Sequence, residues 1–121
     1  SLVLKHCILV LLLCWTVAVA EIRGVIAGDT FRARVEVWPG LLADETVRVL
    51  GVDTPEVRGG SPESREQARV ATEFTRAWLS QGPVSLWTCR RAAFGRLLAR
   101  VYRGSSILAD ELKAAGLGET R

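Results

Sequence analysis

Residues 47–56 read VRVLGVDTPE, from Val47 to Glu56, and this stretch decides how the rest of the chain is understood. Its β-branched first half, with the small Gly51, has the composition of a strand. Pro55 has no N–H to give to a ladder and biases Thr54 towards extended backbone, so the strand ends at Asp53-Thr54-Pro55-Glu56. Arg48, Asp53 and Glu56 thus gather at the rim of a sheet. Carboxylates bind a hard cation or move protons, and a guanidinium forks onto phosphate. Together they point to phosphate-ester chemistry. Taken alone, a salt-bridged strand end followed by an ordinary Asp/Pro turn accounts for this stretch equally well.

Upstream, residues 22–26 form a short strand candidate and Ala27-Gly28-Asp29 a turn. Phe31, Ala33, Val35 and Val37 then alternate with Arg32, Arg34 and Glu36, the period-2 pattern of a half-buried strand. Trp38-Pro39-Gly40 breaks it, and residues 41–45 connect to the strand at 47–52. Three strands with short links predict an antiparallel meander. After a loop at 57–60 comes a helix: Ser61 is the N-cap, Pro62 suits the first helical position, and Glu63 favours the positive end of the dipole. Val70, Ala71, Phe74 and Trp78 fall on one face, with Arg65, Glu66, Arg69, Glu73 and Arg76 on the other. Gly82 and Pro83 stop it. Strands follow at 84–89 and 97–103, then a short helix capped by Ser106 with Leu108, Leu112 and Ala115 on one side. The order β-β-β-α-β-β-α predicts an α+β, mainly β fold: a five-stranded OB-fold barrel with a helix between strands three and four.

At the other end of the chain, residues 1–20 carry Lys5 and His6, an apolar run over 7–17, and Ala18-Val19-Ala20. That is the layout of a secretory signal peptide cut after Ala20, which predicts a domain over 21–121 and a secreted or periplasmic location. An uncleaved membrane anchor is the alternative. Residues 21–121 hold fifteen basic against thirteen acidic residues, a mild bias compatible with a polyanionic partner. All but one of those bases are arginines, which suit bidentate phosphate contacts, although a GC-rich gene has the same effect.

What is missing is as telling. Cys7 and Cys14 lie in the predicted leader, which leaves Cys89 alone, with no internal disulfide and no cysteine metal cluster. The one histidine, His6, is in the leader too. A histidine base, a Ser-His-Asp or Cys-His site and most zinc sites are thereby excluded from the domain. Chemistry must run on carboxylates and arginines, with or without a hard metal ion. Gly28-Asp29-Thr30, Asp53–Glu56 and Phe94-Gly95-Arg96 all fall at strand ends, which a barrel can bring to one mouth.

The chain resembles the thermonuclease (staphylococcal nuclease-like) family. The resemblance is carried by GDTF at 28–31, VRVLGVDTPE at 47–56, Ala71-Thr72-Glu73-Phe74 within the helix, FGRLLARVY at 94–102, and residues 112–116 followed by Leu117. It implies an OB barrel that hydrolyses phosphodiester bonds of DNA and RNA with little sequence preference, leaving 3′-phosphates. It further implies a monomer acting preferentially on single strands. Asp29 and Asp53 match the carboxylates that hold Ca2+, with the Thr54 carbonyl as a third ligand. Glu56 matches the glutamate that handles the attacking water, and Arg48 and Arg96 the pair that grips the scissile phosphate. The chain departs from the family at Ala27 and Ala92, where acids are common, at Phe94, where tyrosine is common, and in lacking a long C-terminal helix. These departures bear on metal affinity and substrate grip. A non-catalytic OB module binding single strands or a protein is the alternative; it predicts exposed aromatics and erosion of these charged residues.

Overall fold

The computed structural model of the protein describes residues 14–121. Strand β1 (Trp15–Ala27) turns into β2 (Thr30–Trp38) and β3 (Leu41–Val49). Helix α1 (Pro62–Leu79) follows, then β4 (Ser85–Arg91), a 3-10 turn (Ala93–Gly95), β5 (Leu97–Arg103), the two-residue β6 (Ser106–Ile107) and helix α2 (Leu108–Ala114). The strands run in the order β3-β2-β1-β4-β5-β6, and a parallel pairing of β3 with β5 closes the sheet into a barrel. The expected antiparallel meander of β1, β2 and β3 is present. This is a closed five-stranded mixed barrel with two helices, the OB-fold arrangement.

β1 belongs to both sides of the barrel: Trp15–Ala18 pair with Ser85–Thr88 of β4, and Ala18–Ala27 with β2. Register shifts after Val19, Ile22 and Val25 bend it sharply enough to do so. Inward residues of every strand fill the interior, among them Phe31, Val35, Val47, Leu86 and Val101, all without exposed surface. α1 covers part of this core with Ala68, Ala71, Thr75, Trp78 and Leu79.

Several boundaries differ from expectation. β1 starts at Trp15 rather than near Ile22, so residues 15–20 of the stretch read as a leader are barrel strand here, with Val17 buried. The remainder of that stretch, residues 1–13, lies outside the described residues. Cys14, assigned to the leader, is disulfide-bonded. Period and length alone cannot separate a short h-region from a buried strand. β3 begins at Leu41, absorbing the expected connector, and ends at Val49, where Leu50 and Gly51 turn the chain. Gly51 has φ +90, which explains a glycine at that point better than strand packing does. On α1, Val70 is exposed and the buried face is offset onto Ala68 and Thr75. Ser106 lies in β6, not at a cap; α2 starts after Ile107 with no side-chain cap, and Ala115 lies past its end, exposed.

Ser61 caps α1 as expected, accepting from the Ser64 N–H at 3.1 Å. At its other end Arg103 donates to the Trp78 carbonyl at 2.6 Å, and its guanidinium lies 4.3 Å from the Trp78 ring centroid. A cation here satisfies an orphan carbonyl and faces the negative end of the dipole.

Candidate active site

The turn between β1 and β2 presents Asp29, and two hydrogen bonds to the turn's backbone carbonyls fix it. Its own carbonyl accepts from the Val49 N–H at 2.9 Å, binding the turn to the end of β3. The neighbouring Gly28 carbonyl accepts from the buried Thr75 hydroxyl of α1 at 2.6 Å. Gly28 must be glycine for space: a Cβ there would stand 2.9 Å from both Ala71 Cβ and Thr54 Cγ2. The helix, the turn and the loop after β3 therefore meet at one backbone atom group.

Asp29 itself is only 8% exposed. Its Oδ1 accepts from Thr30 Oγ1 and its Oδ2 from the Thr54 N–H, both at 2.9 Å. The second bond joins the two segments that carry the expected metal ligands.

Arg48, 6% exposed, lies under the same loop. The Gly51 turn brings the carbonyls of Val49 and Val52 round to its Nη1, at 2.7 and 2.8 Å. Its Nη2 pairs with Asp29 Oδ2 at 3.4 Å and with Asp53 Oδ1. One guanidinium nitrogen thus stands within ion-pair reach of both carboxylates. A buried guanidinium needs such partners, since an unpaired one would carry a large desolvation cost.

Asp53 is half-exposed and also pairs with Arg121 at 3.2 Å. Its backbone exchanges two hydrogen bonds of 2.8 Å with Glu119, so the C-terminal tail runs beside the loop. Thr54 Oγ1 is buried with no hydrogen-bond partner. Glu56 is exposed. Arg96 follows a tight turn in which Phe94 (φ +64) and Gly95 (φ +77) are both left-handed. The Ala92 N–H to Arg96 carbonyl bond, 2.7 Å, closes that turn. Arg96 is half-buried and its Nε has no partner.

These residues come together. Asp29, Arg48, Asp53, Thr54, Glu56 and Arg96 all line one open groove of about 990 Å³. Arg58 and Arg121 also line it. Four guanidiniums against three carboxylates leave the groove suited to an anion while it retains oxygen ligands for a cation. Among the described residues no three of histidine, cysteine, aspartate and glutamate cluster as a metal centre.

Sequence reasoning missed Thr75, Arg58 and Arg121. A threonine on an apolar helical stripe looks like filler, and its bond to Gly28 spans forty-seven positions. Nothing local marks Arg121 as a neighbour of Asp53.

Fold and groove together define an OB-fold barrel with paired carboxylates and arginines at converging strand ends. Over 80 residues, 64% of its length, the chain is 32% identical to a thermonuclease from Staphylococcus intermedius. That match covers 48% of the relative, so the chain spans about half the length of the curated protein it resembles. No family model matches the chain.

Proposed function

We propose that the chain is a nuclease that hydrolyses phosphodiester bonds of DNA or RNA in this groove, with Ca2+ as its cofactor. The observation that carries this reading is the lining of one groove by Asp29, Arg48, Asp53, Glu56 and Arg96, drawn from three separate stretches of chain. The likeness to a thermonuclease supports the same substrate class.

The donor set suits a hard cation. Oxygens of Asp29 and Asp53 already converge on a single positive charge, that of Arg48 Nη2. Those two carboxylates and the Thr54 carbonyl would hold the calcium ion, leaving positions for water and phosphate oxygens. When bound, the ion supplies divalent charge that offsets the phosphodiester anion. Glu56, exposed in the groove wall, accepts a proton from a water molecule as the water oxygen attacks phosphorus. The phosphorus–O5′ bond breaks, and the departing O5′ takes up a proton from solvent. A 3′-phosphate and a 5′-hydroxyl result. Arg48 and Arg96 donate to the non-bridging oxygens, whose charge grows in the five-coordinate transition state.

The test is incubation of the chain with single-stranded DNA, with calcium and with chelator. Cleavage is expected only with calcium. Glu56→Gln and Arg96→Ala should each lower the rate by roughly a hundredfold or more without moving the melting temperature. Cleavage that survives chelation, strand binding with no cleavage, or near-parental rates in either variant would overturn the proposal.

A further inference from the structure

Arg91 is the last residue of β4, opposite Leu97 of β5. Its side chain reaches beyond both strands. Nη1 donates to Glu45 Oε1 of β3 at 3.1 Å and to the Gly95 carbonyl at 2.9 Å, and Nη2 stands 2.7 Å from Glu45 Oε2. Register explains the reach. The parallel pairing of β3 with β5 begins at Val47 and Leu97, and two residues back along each segment lie Glu45 and Gly95. One guanidinium thus bridges the two segments just outside the backbone pairing. Its donors, fixed in one planar fork, suit that task. The Glu45 side chain is 11% exposed, and a charge held out of water makes a firmer anchor because it is less screened.

Gly95 immediately precedes Arg96. The turn holds Phe94 at φ +64, a region that bulky side chains rarely occupy and keep only where the surroundings impose it. Phe94 is fully exposed, so packing of its ring imposes nothing. Within the turn, the Ala92 N–H donates to the Arg96 carbonyl and the Gly95 N–H to the Ala92 carbonyl. Among the described residues, the side-chain bond that enters this turn from outside is that of Arg91 to Gly95. The Arg96 guanidinium has no hydrogen bond or ion pair of its own among those residues. Its aim into the groove is set by its backbone, and that backbone by Arg91.

We propose that Arg91, anchored by Glu45, is a positioning residue: it fixes the Gly95 carbonyl, and through it the turn that directs Arg96 into the groove. Arg91 lies outside the groove lining, so it acts through Arg96 and not on substrate. Its effect on rate rests on the nuclease reading, in which Arg96 donates to the phosphate; its hold on the turn does not.

The test is a double-mutant cycle between Arg91→Ala and Arg96→Ala, assayed with calcium and single-stranded DNA, with amide hydrogen exchange measured on the same proteins. Arg91→Ala should lower kcat roughly tenfold or more with KM little changed, since a misdirected donor is lost chiefly from the transition state. Added to Arg96→Ala, the same substitution should lower the rate no further, which general damage to the fold would not give. The Ala92 amide, bonded to the Arg96 carbonyl, should exchange roughly tenfold faster in Arg91→Ala, while the Val19 amide, bonded to the Val84 carbonyl, should not change. Arg91→Ala also leaves the Glu45 carboxylate without its ion pair. Glu45→Ala combined with Arg91→Ala removes both charges and should match Arg91→Ala in rate and exchange. The proposal is overturned if Arg91→Ala cuts at near-parental rate, if it slows Arg96→Ala as much as it slows the parent, or if exchange at Ala92 does not move. It is equally overturned if a lowered melting temperature accounts for the whole loss. A parent that does not cleave overturns the nuclease reading, and exchange at Ala92 then decides by itself whether Arg91 holds the turn.

Discussion

In the proposed function Arg48 has two tasks that compete. Its Nη1 is committed to the carbonyls of Val49 and Val52, and its Nη2 to two carboxylates. To grip a phosphate, it must share Nη2 or trade Asp53 for the substrate, while Nη1 keeps the loop shaped. Arg48→Lys should therefore lose cleavage despite keeping charge, because one ammonium cannot serve both sides. Arg48→Ala strands the buried Asp29 carboxylate and should destabilise the fold by about 3–5 kcal/mol in urea titration. Gly28→Ala forces a methyl against Ala71 and Thr54 and should cost about 1–3 kcal/mol, with activity lost because the Asp29 turn is displaced. That Asp29, Arg48, Asp53, Glu56 and Arg96 line one groove was legible from their strand-end positions together with the resemblance to the thermonuclease family, since each cluster alone reads equally well as a structural turn. Thr75 and Arg121 were not, since their partners lie forty-seven and sixty-eight positions away and neither sits in a local pattern.

Among the elements, α1 was the most legible because its start is written in side chains: Ser61 accepts a backbone N–H, and Pro62 needs none. Ser61→Ala should cost about 1 kcal/mol, checked by thermal melting. Its outer face carries Arg69–Glu66 and Arg76–Glu73 pairs three residues apart. The hydrogen bonds from Arg69 and Arg76 hold the Glu66 and Glu73 carboxyls below the usual carboxylate range. A lowered folded-state pKa stabilises above the ordinary value of 4.5, and that contribution is lost as pH falls through the lowered one. In Arg69→Gln the Glu66 pKa should rise towards 4.5, measurable by NMR titration. The buried face was harder to place. Val70, Ala71, Phe74 and Trp78 have helical spacing, yet Ala68 and Thr75 are fully buried while Val70 is exposed, because Ala71 and Thr75 stand against Gly28 and set the face by small size rather than hydrophobicity. The start of β1 was hidden for a related reason: TVAVA at 16–20 has the alternation of a strand and equally the small residues of a cleavage site.

For the molecule as a whole, the order of elements announced the barrel, while its closure was illegible. No local pattern in Val47–Val49 says that it will lie parallel to Leu97–Ala99, fifty residues on. That seam is short: three register pairs, extended by the Leu50 N–H to Ala99 carbonyl bond of 2.8 Å. Arg48 lies within one side of it and Arg96 immediately precedes the other. A ring opens at its weakest joint, and parallel pairing is slightly weaker per residue than antiparallel. Native-state hydrogen exchange should thus release the amide of Leu50, which donates to Ala99 across the seam, before those of Ala33 and Val35 in β2. Each such opening separates Arg48 from Arg96, the two arginines proposed to act on one phosphate. The seam then works as a clasp, and a ligand touching Arg48 and Arg96 together would fasten it, slowing exchange there far more than elsewhere in the barrel.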